Sequence, residues 1–276
     1  MSSPHLLSHA LARTFPRGAG YLYTQKFTHT RELGSFPDDV CPLGARRVDL
    51  AGIPRVRAAY VWGGEEPTVL AMHGWGADTL AMVAVVKAAM DSGESAVCFD
   101  APGHGASPGS HATITEYADA TLAVLQRFPT VRTVVAHSLG SIAAVAAIAQ
   151  LGGTNVRDVL LLAPACSLSR VLDRWVGARG LPRVLVELVS LELQHRDRFP
   201  VSHWDVGTLR LPATVRVQIL HDPADDSVPI RDSHLIAAAI GAAVHEVTGA
   251  GHFGIVGSDV TRATLTSCLH RDEIID

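Results

Sequence analysis

Short runs of apolar residues alternate along the chain with longer segments in which apolar residues recur every three or four positions. The short runs are typical of buried strands, and the longer segments are typical of helices packed on one face. The runs predict strands at 47–51, 56–61, 68–72, 95–99, 133–136, 157–163, 213–220 and 243–247. The helical spacing predicts helices at 78–92, 113–128, 141–149, 233–240 and 258–269. This alternation favours an α/β fold with a mainly parallel sheet between two helical layers, preceded by an antiparallel hairpin around 52–54.

The first 43 residues depart from this alternation. They are weakly patterned and are interrupted by Pro4, Pro16, Pro37 and several glycines. Proline in the interior of a helix removes a hydrogen bond and clashes with the preceding turn. We therefore interpret residues 1–43 as an N-terminal extension that wraps the domain, without predicting regular elements in it.

A second departure lies between two predicted strands, at 166–211. This segment has no strand pattern, but Val171, Leu172 and Trp175 have helical spacing, as do the apolar residues of 184–192. It is longer than a tight connection requires, and it follows the C-terminal end of a strand, where open α/β sheets bind ligands. We expect a helical cap at 166–211, inserted into a core formed by 44–165 and 212–276. The alternative is a peripheral decoration.

The composition limits the classes of partner and cellular location. The 276 residues suit one large α/β domain, and 47% apolar content supports a sizeable core. The net charge is −4 and the basic residues are scattered, so neither nucleic acid nor an anionic membrane is expected as a partner. No apolar run approaches the ~20 residues that span a bilayer, and no secretory signal pattern is present. We expect a cytoplasmic protein, either a monomer or a homodimer.

Cysteine and histidine positions give no indication of a metal site. The four cysteines, Cys41, Cys98, Cys166 and Cys268, are far apart and form no C-x-x-C pair. The 14 histidines form neither an H-x-H-x-D nor an H-E-x-x-H motif. We expect reduced thiols and no metal.

The segment 134–141 joins an apolar strand pattern to a helix of small residues, with Ser138 at the junction. A sharp strand-to-helix turn holds such a hydroxyl at the top of a sheet, beside a helix N-terminus. Ala136 and Gly140, two residues before and after the serine, are small enough for backbones that must come close together. Ser138 is therefore the candidate nucleophile. The alternative is that its hydroxyl only caps the helix.

A serine nucleophile needs a neutral imidazole as its base and an acid that orients the imidazole. His252 is the candidate base, because it lies in a glycine-rich loop directly after a predicted strand. His245 competes, but it lies within a strand pattern, where packing or solvation accounts for it. The acid is expected among Asp222, Asp225 and Asp226, which follow the strand ending at 220.

The oxyanion formed in such a reaction needs preorganised N–H donors. One candidate is the backbone N–H of Leu139, at the helix N-terminus after the serine. The other lies in His73-Gly-Trp-Gly76, where two glycines let the backbone approach a substrate closely. We assign this second donor to the backbone N–H of Trp75. The His73 side chain is expected to hold the loop by hydrogen bonds.

With these residues placed, the chain resembles the α/β-hydrolase fold serine hydrolases over residues 44–272, and especially small bacterial hydrolases with an HGWG motif. Four segments carry the resemblance: His73-Gly-Trp-Gly76, Phe99-Asp-Ala-Pro-Gly-His-Gly-Ala-Ser107, Ala136-His-Ser-Leu-Gly140 and His221-Asp-Pro-Ala-Asp-Asp-Ser-Val-Pro229. The order serine, aspartate, histidine is also that of the family. In the family pattern H-G-x-x-D-x-x-V-P the fifth position is the acid, which implies Asp225. Asp222 replaces the usual glycine.

The resemblance implies an eight-stranded, mostly parallel sheet with helices on both faces and a small helical cap. It further implies a serine hydrolase that needs no cofactor and cleaves a small-molecule carboxylic ester or thioester. Amidase, C–C hydrolase and perhydrolase chemistry on the same residues are alternatives, as is a non-catalytic binding protein of this fold. Four cap residues are expected to present an apolar ceiling to the acyl chain: Trp175, Leu185, Leu188 and Val189.

Overall fold

The computed structural model describes residues 3–30, 41–50, 52–152, 155–197 and 199–271. Its eight strands are β1 (Arg46–Asp49), β2 (Ala58–Trp62), β3 (Val69–Met72), β4 (Ala96–Phe99), β5 (Thr133–His137), β6 (Asp158–Leu162), β7 (Arg216–His221) and β8 (Ala243–Glu246). They form one sheet in the order β1-β2-β4-β3-β5-β6-β7-β8. The β1–β2 and β2–β4 pairs are antiparallel and the other five are parallel. The predicted mainly parallel sheet with an antiparallel entrance is confirmed.

Helices cover both faces of the sheet. They are α1 (Ser3–Thr14), α2 (Pro16–Phe27), α3 (Val83–Asp91), α4 (Ile114–Arg127), α5 (Gly140–Leu151), α6 (Leu168–Ala178), α7 (Val184–Asp197), α8 (Arg231–Ile240), α9 (Gly251–Gly254) and α10 (Asp259–Leu269). One core lies under α4 and α5, and the other under α3 and α10. Within the described residues, no helix is long and apolar enough to cross a membrane.

The central strands are apolar without interruption because both of their faces are buried. Along β3, Leu70 and Met72 belong to one core, whereas Val69 and Ala71 belong to the other. Successive side chains of a strand point to opposite faces, so a strand covered on both sides must be apolar at every position. The carboxyl ends of β3 and β5, which lead into the His73–Gly76 loop and Ser138, are therefore covered on both faces. The other candidate residues follow β7 and β8 at the same edge of the sheet.

The N-terminal extension differs from the sequence-based expectation, because it contains two helices. Pro16 does not break the structure, since it occupies the first turn of α2, where the missing N–H has no helical partner to lose. Gly20 allows α2 to approach α7: a Cβ on Gly20 would come within 2.9 Å of the Leu188 carbonyl oxygen. The prolines and glycines that made this region look irregular are therefore compatible with its helices. Residues 31–40 lie outside the described residues.

The segment between β6 and β7 contains α6, α7 and a short 3₁₀ helix at Val201–His203. Asp232, in the first turn of α8, links this segment to the helices that pack on the sheet. Its carboxylate accepts hydrogen bonds from Arg170 Nε and Arg174 Nη1, both over 2.9 Å. The backbone N–H of Cys166 also donates to it, over 3.2 Å. The Asp232 side chain is fully buried, so this contact is the inner anchor of the segment.

Candidate active site

The turn from β5 into α5 holds Ser138 in a strained conformation. Its φ is +53°, a region that residues other than glycine rarely adopt. Such strain persists only where the surroundings impose it, and it is concentrated at functional sites. Here the backbone N–H of Ser138 donates to Leu162 O (2.9 Å), and its carbonyl accepts from Ala165 N–H (3.2 Å). Glycine is required at 140, because a Cβ there would overlap the carbonyl oxygen of His73.

The structure brings the three candidate side chains into one hydrogen-bonded chain. His252 Nδ1 donates to Asp225 Oδ2 over 2.7 Å, and Ser138 Oγ lies 3.0 Å from His252 Nε2. Because the aspartate accepts the hydrogen bond from Nδ1, Nε2 is left free to accept a hydrogen bond from the serine hydroxyl. The loops that carry these residues follow β5, β7 and β8, which end at the same edge of the sheet.

Asp225 is held ionised by its partners. Burial disfavours its charge, but hydrogen bonds from His221, from His252 and from the Val228 N–H outweigh burial and hold the pKa of Asp225 well below its usual range. Its second oxygen, Oδ1, accepts from the backbone N–H groups of Ser227 (2.8 Å) and Val228 (2.9 Å). A permanently charged acceptor suits the role of orienting an imidazole and stabilising its cation.

The two neighbouring aspartates have different surroundings. Asp222 accepts from the Gly251 N–H over 2.6 Å and from the Ala224 N–H over 2.9 Å. These backbone hydrogen bonds lower the pKa of Asp222 and tie the β7 loop to the loop of His252. Asp226 is exposed and its carboxylate contacts the Ser227 hydroxyl (3.2 Å). Of the three, Asp225 has the carboxylate in contact with His252.

His137 is a residue that the sequence analysis missed. Its Nε2 donates to the carbonyl oxygen of His252 over 2.8 Å, and the two rings lie 4.7 Å apart. Burial and the neighbouring His252 lower the pKa of His137 to about 3, so its ring is neutral at physiological pH. A buried strand residue directly before the candidate nucleophile therefore fixes the backbone of the candidate base. Only the unusual presence of a histidine in a buried strand could have indicated this from the sequence.

The His73–Gly76 loop lies beside the serine. A Cβ on Gly74 would come within 3.0 Å of the Ser138 Cβ. His73 is fully buried, with Nδ1 donating to Gly74 O (2.8 Å) and Nε2 accepting from the Ala101 N–H (3.1 Å). Tyr117 OH donates to the His73 carbonyl over 2.7 Å. The His73 side chain is thus a fixed support of the loop that contains Trp75, one of the two residues, with Leu139, whose backbone N–H groups are suggested as oxyanion donors.

The family model for the alpha/beta hydrolase family matches residues 69–262, which include all of the candidate site residues described in this section. This chain belongs to the alpha/beta hydrolase family. Among curated proteins, none matches the sequence significantly.

Solved structures share the fold of this hydrolase at low sequence identity. The alpha/beta hydrolase domain-containing protein 10 from mouse is 18% identical, with a TM-score of 0.62 over 84% of this chain and 98% of its own. The esterase PF2001 from Pyrococcus furiosus is 17% identical, with a TM-score of 0.61 over 88% and 95%. Est1E from Butyrivibrio proteoclasticus is 17% identical, with a TM-score of 0.60 over 82% and 97%.

A mostly apolar cavity of about 110 Å³ opens beside the candidate site of this hydrolase. It is lined by Phe27, Thr28, His29, Trp75, Ala112, Thr113, Ile114, Leu139, Leu168, Val171, Trp175, Arg179 and Leu193. Trp75 and Leu139, whose backbone N–H groups are the suggested oxyanion donors, belong to this lining. An apolar cavity that meets a few fixed polar groups is the usual form of a small-molecule site.

The ceiling predicted from helical spacing needs correction for three of its four residues. Trp175 lines the cavity, whereas Leu185, Leu188 and Val189 lie outside its lining. Leu185 and Val189 are fully buried in the core, on a helix that packs against α2. Their spacing marked a buried face correctly, but these two side chains belong to a core cluster that also includes Ala19 and Tyr23 of α2. The cavity residues of the insertion are instead Leu168, Val171, Trp175, Arg179 and Leu193.

Proposed function

We propose that this chain is a serine hydrolase that cleaves carboxylic esters or thioesters through an acyl-enzyme intermediate. The observation that carries the proposal is the hydrogen-bonded sequence Asp225–His252–Ser138. Its serine sits on a strained turn at a helix N-terminus, a position that typically presents the hydroxyl to a substrate, and it is half-buried. The apolar cavity beside it suits the acyl part of an ester, and the name of the Pyrococcus furiosus relative, an esterase, agrees with this chemistry.

The reaction proceeds in two half-reactions. His252 Nε2 takes the proton of Ser138 Oγ as the oxygen attacks the acyl carbon. The tetrahedral oxyanion accepts hydrogen bonds from the backbone N–H groups of Leu139 and Trp75, each worth roughly 10²–10³ in rate. His252 then returns the proton to the departing alcohol or thiol. Water repeats the sequence on the acyl-enzyme and releases the carboxylic acid.

Asp225 supports both half-reactions without changing its protonation state. Its depressed pKa keeps it charged whenever His252 becomes a cation. The carboxylate holds the imidazole in the tautomer that leaves Nε2 free to accept a proton. No cofactor takes part in this scheme.

Hydrolysis of p-nitrophenyl butyrate by the purified protein tests the proposal. We expect Ser138→Ala to lower kcat by at least about 10⁴-fold with unchanged folding, because the nucleophile is removed. Ser190→Ala is the matched control, since its hydroxyl donates to Val186 O within α7 (2.6 Å), away from the candidate site. Equal turnover by the Ser138→Ala and Ser190→Ala proteins would overturn the assignment of the nucleophile.

A further inference from the structure

The chain leading out of α2 is part of the structure around the candidate site. Residues 29 and 111 pair as an antiparallel bridge. The Thr30 N–H donates to Ser110 O (3.0 Å), and the Ala112 N–H donates to Thr28 O (3.0 Å). A side-chain hydrogen bond from Thr30 Oγ1 to Gly103 O (2.5 Å) ties the same segment to the loop after β4. Residues 28–30 are therefore fixed against the core of the hydrolase.

This segment also contacts the loop suggested as an oxyanion donor. Trp75 Nε1 donates to the carbonyl oxygen of His29 over 3.1 Å. The Trp75 ring in turn packs edge-on against His104, at 5.0 Å between ring centroids. The N-terminal segment thus holds the side chain of Trp75, whose backbone N–H is a suggested oxyanion donor.

The N-terminal helix and the insertion meet at an aromatic contact. The rings of Phe27, at the end of α2, and Trp175, on α6, lie 5.4 Å apart in an edge-to-face arrangement. Away from this contact, α2 packs closely on α7 at Gly20, and the Arg196 guanidinium lies over the ring of Tyr21 at 5.3 Å. Phe27 and Trp175 both line the cavity, so their contact joins the lining residues of the N-terminal segment to those of the insertion.

The size and chemistry of the cavity limit what it can hold. An apolar cavity of about 150 Å³ accommodates benzene. The cavity here is smaller, at about 110 Å³, and most of its lining is aliphatic or aromatic. Arg179, a charged residue of the described lining, has its guanidinium stacked on Trp175 at 4.7 Å. The space suits an uncharged chain on the order of four to six carbon atoms.

We propose that residues 27–29 form one wall of the acyl site, and that Phe27 and Trp175 together set the length of the acyl group. The substrates are esters or thioesters of short, uncharged carboxylic acids of about four to six carbons. This inference rests on the proposed ester or thioester hydrolysis. It adds that the N-terminal helix, which belongs to neither the sheet nor the insertion, determines specificity.

A series of p-nitrophenyl esters with acyl chains of two to twelve carbons tests the proposal. We expect kcat/KM of the wild type to peak at about four to six carbons and to fall severalfold for each further methylene that finds no space. Phe27→Ala opens the wall, so its optimum moves to chains at least two carbons longer, and Trp175→Ala shifts it in the same direction. Phe27→Leu, a milder change, shifts it less and covers the case in which the alanine variant does not fold.

Phe15→Ala is the matched control. Phe15 lies between α1 and α2, it is 64% exposed, and it is not part of the cavity lining. We expect it to keep the wild-type profile. The proposal is overturned if folded Phe27 variants share the profile of Phe15→Ala, or if the wild type prefers chains of ten or more carbons.

Binding without turnover separates this proposal from the proposed function. In the Ser138→Ala protein, methyl esters of the same acids can be titrated by the change in intrinsic tryptophan fluorescence, since Trp75 and Trp175 line the cavity. If esters above a certain chain length fail to bind, and adding Phe27→Ala lets longer chains bind, the wall formed by residues 27–29 is supported. This holds even if the wild type hydrolyses no ester. If binding does not depend on chain length, the proposal that residues 27–29 form a wall of the acyl site is overturned, even if hydrolysis is observed.

Discussion

The reaction centre and the cavity beside it are built in different ways. At the reaction centre, side chains from three strand-end loops are held by short hydrogen bonds, such as 2.7 Å between His252 and Asp225 and 2.6 Å between Gly251 and Asp222. The cavity lining comes largely from residues 27–29 and from the insertion between β6 and β7, and Phe27 and Trp175 meet there in an edge contact. In the proposed function, the chemistry thus depends on loops at the ends of the strands, whereas the choice of substrate depends on segments added to the sheet.

The largest expected effect distinguishes two adjacent aspartates at the reaction centre. Asp225→Asn favours the wrong tautomer of His252, and we expect kcat to fall by about 10⁴-fold, as for the equivalent change in other triads. Asp226→Asn, one residue further along, leaves kcat within about twofold, because that carboxylate is exposed and does not contact His252. Steady-state kinetics of the two folded variants measures the contrast. Similar losses in both would contradict the assignment of the acid.

A smaller effect is expected at His137, which acts through the backbone of His252. His137→Leu removes the donor to the His252 carbonyl, and we expect kcat to fall about 10–100-fold with little change in KM, because the base is displaced while the cavity is intact. His137→Gln, which retains an N–H donor, should recover part of the loss. A change confined to KM, or equal losses in both variants, would contradict this positioning role.

The anchor of the insertion affects stability rather than chemistry. Asp232→Asn weakens the contact with Arg170 and Arg174, and we expect the free energy of unfolding to fall by about 2–3 kcal/mol, since a buried charge pair is broken. Asp173→Asn is the matched control: its ion pair with Arg183 is exposed, so the change is less than ~0.5 kcal/mol. Urea denaturation measures both. Equal losses of unfolding free energy in the two variants would mean that burial of Asp232 does not add to stability.

The contact of Asp232 with Arg170 and Arg174 also predicts that the stability of the protein depends on pH. Burial disfavours its charge, but the two arginines outweigh burial and lower the pKa of Asp232 in the folded protein. A depressed carboxyl pKa contributes stability above the unfolded value of about 3.9 and loses it as the pH falls through the folded value. The stability difference between wild type and Asp232→Asn is therefore greatest near neutral pH and shrinks below about pH 4. A difference that grows in acid would contradict this assignment.

The two regions also differ in how far the sequence predicts them. The strands and the turn at Ser138 were predictable because each depends on a local pattern: a continuous apolar run, or a small residue such as Gly140 where two backbones meet. The start of α4 is likewise a local feature, because Thr113 and Glu116 form a capping box there. In each case a few neighbouring residues decide the structure.

The cavity wall depends on contacts between segments that are far apart in sequence. The spacing of Leu185 and Val189 indicates a buried face, but it does not indicate that this face belongs to a core shared with α2 rather than to a substrate site. Gly20 looks like a helix breaker until the Leu188 carbonyl is known to lie against it. Such pairings are determined by tertiary packing, so neither the helices of the extension nor the role of Phe27 could be predicted from local patterns.

The most direct test of the central claim is covalent labelling with a fluorophosphonate, which reacts with an activated serine. The labelled site is located by mass spectrometry in the folded wild type, with Ser138→Ala and Ser190→Ala measured in parallel. We predict one modified residue, Ser138, in the wild type and in Ser190→Ala, and no modification in Ser138→Ala. Absence of labelling in the folded wild type, or labelling at another serine, would contradict an activated Ser138–His252–Asp225 triad.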